Sequence, residues 1–479
     1  MTVTCDVVVL GMGTSGEDAA LRLARAGLDV VGVEARLIGG ECPYWACLPT
    51  KSMVRSANLL TEARRADGLV GSVTVKPDWG IIAERIRAEI TGGWDDSGGV
   101  ARFEGKGGTF VRGWGKLIGP RAVEVNGEVY SARIGVLVAT GSAPTIPNIR
   151  GLAGVEHWTN HDAVATEELP ASVVIVGGGA VGCELGQIFA RFGSAVTIVE
   201  ASSRILATEE PEVSGVIESA LSEDGVRVMT GSGLDSVEAG TGGIACSLTR
   251  GETVVAEKLL LAVGRSVDAE NLGITEAGAV LNDGFIEVDD RLRAADGLWA
   301  IGDVTGKSAL TQVAEYQASI AIEDMLGGDP RPADYSVNPT VVFTDPEVGS
   351  VGLREAEARE KGHDVDTVTK NLGATFRGWL HRTGNVGLFK LVVDTSEDRL
   401  LGASAVGPSA GEVLGYLALA VRQRVPLGDL VHSIFSFPTF YGGVGEALGA
   451  YGRGIVRVLD PDTDPLFDDP GARVMAEGS

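Results

Sequence analysis

Val7-Val8-Val9-Leu10-Gly11-Met12-Gly13-Thr14-Ser15-Gly16, followed by Glu17-Asp18-Ala19-Ala20-Leu21-Arg22-Leu23-Ala24, decides how this chain folds. The unbroken apolar run reads as a strand buried on both faces, the three glycines as a tight turn, and the residues after them as a helix. A second run, Asp29-Val30-Val31-Gly32-Val33, ends on Glu34. Each part has a task in a βαβ nucleotide fold. Gly11, Gly13 and Gly16 allow close approach to a pyrophosphate, the helix N-terminus faces the phosphates, and the terminal acid takes the ribose hydroxyls. The pattern recurs: Val173-Val174-Ile175-Val176 leads into Gly177-Gly178-Gly179-Ala180-Val181-Gly182, and the run Ala195-Val196-Thr197-Ile198-Val199 ends on Glu200. Twenty-three residues separate the first glycine from the acid in both copies. Two complete fingerprints predict two bound dinucleotides and an α/β protein.

Just downstream of the first fingerprint stands Gly39-Gly40-Glu41-Cys42-Pro43-Tyr44-Trp45-Ala46-Cys47-Leu48-Pro49-Thr50-Lys51. Its two cysteines read as lying on one helix, where a modest adjustment of the first turn brings them within disulfide reach. Beside a bound dinucleotide, such a pair passes two electrons between cofactor and dithiol. A helix N-terminus also favours the thiolate.

Composition bounds the rest. At 479 residues the chain holds about three domains of roughly 150 residues each. A formal charge of −25 argues against nucleic acid, whose phosphates need a basic surface. No apolar run reaches the roughly 18 residues of a membrane span, and Met1-Thr2-Val3-Thr4-Cys5-Asp6 does not open a signal peptide. Five cysteines are too few for a secreted disulfide framework, so a cytoplasmic enzyme with a catalytic pair is expected.

These elements resemble the flavoprotein disulfide reductases, the family of dihydrolipoamide dehydrogenase, glutathione reductase and mercuric reductase, over about residues 5–450. The family's Gly-Gly-x-Cys-(x4)-Cys-x-Pro-x-Lys segment is matched by Gly39, Gly40, Cys42, Cys47, Pro49 and Lys51. Ala139-Thr140-Gly141, Val263-Gly264-Arg265, Gly302-Asp303 with Ala309-Leu310-Thr311-Gln312, and Phe343-Thr344-Asp345-Pro346-Glu347 with Val351-Gly352-Leu353 follow in the family's order. The resemblance implies two Rossmann-like nucleotide-binding domains plus a C-terminal α+β dimerisation domain. The FAD-binding domain is expected from 1–145 and 268–335, the NAD-binding domain from 146–267, the interface domain from 336–457, and an acidic tail from 458–479. It further implies FAD held by Gly11, Gly13, Gly16, Glu34, Gly40, Lys51, Gly115, Thr140, Gly141, Asp303, Leu310, Thr311 and Gln312. The nicotinamide cofactor is expected on Gly177, Gly179, Ala180, Val181, Gly182, Glu184, Glu200 and Gly264. A carboxylate at Glu200 accepts from a ribose 2′-OH and repels a 2′-phosphate. NADH is therefore favoured over NADPH, although Arg204 lies four residues on.

By the same resemblance Cys47 is the flavin-side sulfur and charge-transfer donor, Cys42 is the interchange thiol, and Lys51 pairs with Glu184 beside the flavin. The active site is shared between the subunits of a homodimer. One departure matters. Where the family carries His-Pro-Thr and, four residues after the proline, a glutamate, this chain reads Phe437-Pro438-Thr439-Phe440-Tyr441-Gly442. The histidine and glutamate that protonate the leaving thiol are missing, and a positioned general acid is worth on the order of 10²–10⁴ in rate. A substrate whose leaving group needs no proton, a substitute such as Tyr441 or His432, or a non-disulfide acceptor each answers the loss. Tyr441, with an ordinary pKa near ~10, is a poor base at neutrality. Mercuric reductase shares the aromatic Phe-Pro stretch but relies on C-terminal cysteines that this tail lacks.

Between the cysteines, Tyr44 and Trp45 either pack against neighbouring elements or, with Phe437 and Phe440 of the other subunit, line an aromatic pocket for a flat disulfide. Cys5, Cys183 and Cys246 read as small buried residues, and the five histidines form no metal cluster. His157 and His161 read as a solvated turn. The expected activity is NADH-dependent, FAD-mediated reduction of a small-molecule disulfide. The rivals are reduction of quinones, metal ions or other acceptors, dihydrolipoamide dehydrogenase activity, and a regulatory flavin-binding protein.

Overall fold

The computed structural model describes residues 2–452. The acidic tail expected at 458–479, with the last residues of the interface segment, lies outside them. β1 (Thr2–Leu10), α1 (Thr14–Arg25) and β2 (Val30–Glu34) form the first βαβ unit. β1 pairs in parallel with β2 on one side and with Glu128–Val138 on the other, at the centre of an eight-stranded sheet. Val7, Val8 and Val9 are fully buried, as an unbroken apolar run in a parallel sheet demands. Strand Leu298–Ala300 joins the same sheet beside Glu128–Val138, with Leu298 opposite Val136, so residues distant in the chain share one layer.

The second fingerprint builds its own four-stranded parallel sheet, in the order Arg227–Met229, Ala195–Val199, Ser172–Val176, Lys258–Leu261. A three-stranded antiparallel sheet, Leu234–Gly240, Gly243–Leu248 and Thr253–Ala256, packs with it. The chain enters and leaves this region side by side, because Ala143–Pro144 and Arg265–Ser266 pair as an antiparallel two-residue ribbon.

Residues 340–407 supply a five-stranded antiparallel sheet covered by helices Ala410–Arg422 and Phe440–Gly452. Its strand Leu388–Asp394 is buried throughout, and Lys390 within it is satisfied by three carboxylates. Lys390 Nζ lies 3.1 Å from Glu210, 2.8 Å from Glu212 and 3.0 Å from Glu355, tying this sheet to helix Pro211–Glu223 of the second nucleotide unit. A buried charge needs such partners, since unpaired it costs several kcal/mol.

Two expectations need correction here. The cysteines do not share a helix: Cys42 sits in α2 (Glu41–Tyr44) and Cys47 opens α3 (Cys47–Arg64). Residues five apart on one α-helix point roughly 140° away from each other, so their sulfurs cannot meet. The break at Trp45 (φ −134°, ψ −10°) and Ala46 (φ −131°, ψ −95°) turns them together. Nor is His161 a solvated surface residue. It lies in helix Asn160–Ala165 with its side chain 24 % exposed, stacked on Trp45, whereas His157 precedes that helix.

Candidate active site

The two fingerprints are superimposable in their physics. Gly11 and Gly177 have φ of 94° and 110°, and a Cβ on either would meet the carbonyl oxygen of Ala139 at 2.5 Å or of Ala262 at 2.2 Å. Gly16 and Gly182 press their helices onto the turn: a Cβ there would meet the carbonyl oxygen of Gly11 or Gly177 at 2.1 and 1.9 Å. Gly13 and Gly179, by contrast, face open space. The acids are held alike. Glu34 accepts from the backbone N–H of Met12 (2.8 Å) and Arg36 (2.7 Å), Glu200 from those of Gly178 and Ser202 (both 2.7 Å). Burial works to raise the pKa of Glu200, but these N–H donors outweigh it and lower it. Arg204 is turned away, donating to the carbonyls of Leu206 and Ala207 and to Ser214 Oγ.

A cavity of 1510 Å³ runs past both sites. That exceeds the roughly 300–1,000 Å³ of an ordinary ligand cleft, as room for two dinucleotides requires. Its wall includes Gly11, Gly13, Glu34, Gly40, Gly115, Thr140, Gly141, Asp303 and Thr311 on one side and Gly177, Gly179, Ala180, Val181, Glu200 and Gly264 on the other. Cys42, Cys47, Lys51 and Glu184 lie between them on the same wall. These residues therefore fit FAD and a nicotinamide dinucleotide: open glycine turns for the pyrophosphates, an acid for each adenosine ribose, and Asp303 for polyol hydroxyls.

Four of the residues expected to hold the cofactors do not line the cavity: Gly16 and Gly182, pressed onto their own turns, and Leu310 and Gln312. Leu310 is the N-cap of helix Thr311–Met325 and does not line the cavity, and Gln312 donates to the carbonyl of Pro339. On a helix, neighbours of Thr311 point to other faces, so one position per turn reaches the site.

The cysteines differ in environment. Cys47 Sγ is 3.5 Å from Thr311 Oγ1, at the N-termini of both α3 and helix Thr311–Met325. The hydrogen bond from Cys42 does most to lower its pKa, with Thr311 and Lys51 reinforcing it against burial, to about 6. The dipole of the 18-residue α3 acts in the same direction. Cys42, in a four-residue helix, is shifted upward by its hydrogen bond to Cys47 and by burial. The pair thus holds its negative charge on Cys47 and its proton on Cys42. Lys51 Nζ donates to Glu184 Oε2 at 2.8 Å and lies over the Phe343 ring, while Glu184 Oε1 accepts from Phe343 N at 2.9 Å. With Glu184 almost fully buried, this pair pins the redox helix to the second fingerprint helix.

The aromatic candidates do not gather around Cys42 within one chain. Trp45 reaches the cavity wall but is sandwiched between Trp94 and His161, with ring centroids 5.3 and 4.6 Å away. Tyr44 is absent from that wall. Phe437, 71 % exposed, meets Phe376, and Phe440 lies between His381 and Arg377. Tyr441 packs on Tyr416 and Phe435, and burial raises its pKa further. Among the described residues no histidine lines the cavity, and none of their His, Cys, Asp and Glu side chains form a group of three able to hold a metal ion. Sequence reasoning missed Glu41, whose carboxylate takes His161 at 2.7 Å and Arg265 at 3.4 Å, and Ser142, which bonds both Arg265 and Asp303. Arg265 was visible as the end of the Val-Gly-Arg phrase, but nothing local tells which acids it meets.

Known proteins share this arrangement. The pyridine nucleotide-disulphide oxidoreductase model matches residues 5–318, and the dimerisation domain of the same family matches 338–448. A dihydrolipoyl dehydrogenase of Thermus scotoductus is 36 % identical, covering 95 % of this chain and 99 % of its own. A mercuric reductase of Bacillus cereus is 30 % identical over 95 % of this chain and 72 % of its own. Among solved structures, the HOCl-induced flavoprotein disulfide reductase RclA from Escherichia coli superposes with a TM-score of 0.82 at 26 % identity, covering 93 % of this chain and 99 % of that one. Its Cu(II) complex matches equally well, with a TM-score of 0.83 at 25 % identity, over 94 % of this chain and 99 % of that one. No helix among the described residues is long and apolar enough to cross a membrane. The chain belongs to the pyridine nucleotide-disulphide oxidoreductase family and is a flavoprotein enzyme of the kind that works with FAD and NAD(P)H.

Proposed function

We propose that the protein is a cytoplasmic, homodimeric NADH-dependent reductase of a small-molecule disulfide whose leaving thiol is acidic. The observation that carries this reading is the Cys42–Cys47 pair in a cavity without a histidine, in a chain whose His-Pro-Thr position is Phe437. Residues 1–145 and 268–335 would hold FAD and residues 146–267 the nicotinamide cofactor, and the flavin, when bound, would supply the two-electron link between the nicotinamide and the cysteine pair. The remaining chemistry belongs to the chain. Cys42 loses its proton to solvent and, as the thiolate, attacks one sulfur of the substrate, so that the substrate S–S bond breaks as the mixed disulfide forms and the first thiolate leaves. Cys47, held as a thiolate by Thr311, Lys51 and the α3 terminus, then attacks Cys42 Sγ, restoring the intramolecular disulfide and releasing the second thiolate. Lys51 and Glu184 position α3 against the second fingerprint. With no acid to protonate either leaving sulfur, the rate falls on the substrate's own leaving ability.

The test is a panel of low-molecular-weight disulfides assayed by NADH oxidation. Rates should climb steeply as the leaving thiol's pKa falls, with a dialkyl dithiolane such as lipoamide slower than an aromatic heterocyclic disulfide by on the order of 10²–10⁴. A flat dependence, or lipoamide as the best substrate, overturns the reading. The Glu200 carboxylate and an Arg204 turned away onto the Leu206 and Ala207 carbonyls support NADH. A 2′-phosphate against that carboxylate costs a few kcal/mol, so kcat/KM should favour NADH by about 100-fold. Equal use of NADPH would refute the assignment.

One observation favours a second reading. A metal ion taken as substrate needs no protonated leaving thiol, so the missing histidine does not handicap metal-ion reduction, and mercuric reductases and a Cu(II)-binding RclA are among the relatives.

A further inference from the structure

We propose that His161 and Trp45 are positioning residues for the interchange thiol: the Trp94–Trp45–His161 stack, fastened by Glu41, holds the short helix bearing Cys42 in register with Cys47. This rests on reading Cys42 as the thiol that attacks the substrate. A four-residue helix has no stability of its own, and α2 joins α3 only through the non-helical Trp45 and Ala46. A cysteine pair that opens and closes in every turnover still needs its Cα atoms within roughly 4.4–6.8 Å of each other. Something outside the segment has to keep them there.

The structure supplies the restraint at each point where the segment could swing. Trp94 Nε1 donates to the Tyr44 carbonyl at 3.3 Å, and Asn160 Nδ2 donates to the Trp45 carbonyl at 2.8 Å. The Trp45 indole is covered on both faces, with interplanar angles of 22° to Trp94 and 14° to His161. His161 Nε2 is 2.7 Å from Glu41 Oε1, so the ring that covers Trp45 also grips the residue immediately before Cys42. Its own platform is firm. Helix Asn160–Ala165 begins with a capping box in which Thr159 and Asp162 satisfy each other's backbone. Asn160 and His161 immediately precede the second nucleotide sheet in the chain, whereas Cys42 lies between Val30–Glu34 and Thr109–Arg112, two strands of the first. The alignment of Cys42 is thereby shared between Trp94 of its own unit and Asn160 and His161 of the segment expected to carry the nicotinamide cofactor.

The experiment uses the full-length holoenzyme and separates the two half-reactions by stopped flow. Flavin reduction by NADH is followed first, then reoxidation of the two-electron-reduced enzyme by 4,4′-dithiodipyridine. His161→Ala and Trp94→Leu, which strip one face each from Trp45, should slow reoxidation by about 10-fold or more while leaving flavin reduction within twofold of wild type. They should slow alkylation of Cys42 by iodoacetamide in parallel. His161→Phe, which keeps a flat ring on Trp45, should recover most of the rate. Reoxidation within twofold of wild type in both variants, loss of both half-reactions together, or no recovery in His161→Phe overturns the proposal. If wild-type enzyme is not reoxidised by the disulfide at all, it is the disulfide-reductase reading that fails.

Discussion

Cys42→Ser is expected to abolish disulfide turnover, by at least about 10³-fold, while the flavin is still reduced by NADH at the wild-type rate. Removing a covalent nucleophile removes the path, and losses of that size or greater are the rule. The asymmetry of the pair makes the prediction specific. Cys47 owes its lowered pKa first to the hydrogen bond from Cys42, then to Thr311 and Lys51. A serine hydroxyl still donates, so the Cys47 thiolate survives and the flavin side of the site is little altered. The measurement is steady-state NADH oxidation with a reactive disulfide, set beside anaerobic bleaching of the flavin absorbance. Acceptors that take electrons from the flavin directly, quinones or Cu(II), would keep most of their rate in the variant. Disulfide turnover above a tenth of wild type would remove Cys42 from the mechanism.

What the sequence made legible was what local sterics demand. Gly11 needs positive φ and no Cβ, Gly16 needs contact with its carbonyl, and Glu34 must end the strand to reach the turn. The turn and its acid act within 23 residues, so the residues announce them, although the carbonyl that excludes a Cβ at Gly11 comes from Ala139. The cysteine segment behaves differently. Its break falls where Pro49, with no N–H to offer the Trp45 carbonyl, cannot continue a helix, and distant groups take up the freed carbonyls: Trp94, 50 residues from Tyr44, and Asn160, 115 residues from Trp45. His161 was invisible for the same reason, since its partner Glu41 lies 120 residues upstream. Arg204 shows the converse case: its spacing from Glu200 was plain, but its direction depends on the carbonyls of Leu206 and Ala207. Trp45 was read as either packing or pocket lining, and the stack shows packing on both faces.

Glu446 gave no signal either, and it carries the second large effect. It sits in Gly442-Gly443-Val444-Gly445-Glu446-Ala447-Leu448, on helix Phe440–Gly452, and is only 4 % exposed. Oε1 accepts from Phe376 N at 3.1 Å, while Oε2 is buried without a hydrogen-bond partner. Burial raises its pKa from 4.5 to about 7, against smaller opposing effects of the Phe376 N–H and Lys370. The folded protein therefore holds a proton on Glu446 that the unfolded chain has already lost between pH 4.5 and 7. Stability must fall across that window, because the folded state binds more protons there, and the full penalty of about 3 kcal/mol persists above pH 7. Glu446→Gln keeps an acceptor for Phe376 and cannot ionise. It should be nearly neutral at pH 4.5 and stabilising by roughly 2–3 kcal/mol at pH 8, read as a higher Tm by calorimetry at pH 8 and a flatter slope of Tm between pH 5 and 8. Other titrating groups cancel in the comparison with wild type, so equal slopes would show that Glu446 ionises as freely as an exposed glutamate. The residue also reaches the active-site end of this domain. Phe376, whose N–H it accepts, opens the helix Phe376–His381 that packs against Phe437 and Phe440. Ionisation of Glu446 on raising the pH loosens the support of the loop that stands where the family's histidine would be. In wild type, disulfide turnover should accordingly fall as the pH rises through about 7, where Glu446 ionises in the folded protein, and in Glu446→Gln both this fall and the loss of stability between pH 4.5 and 7 should vanish.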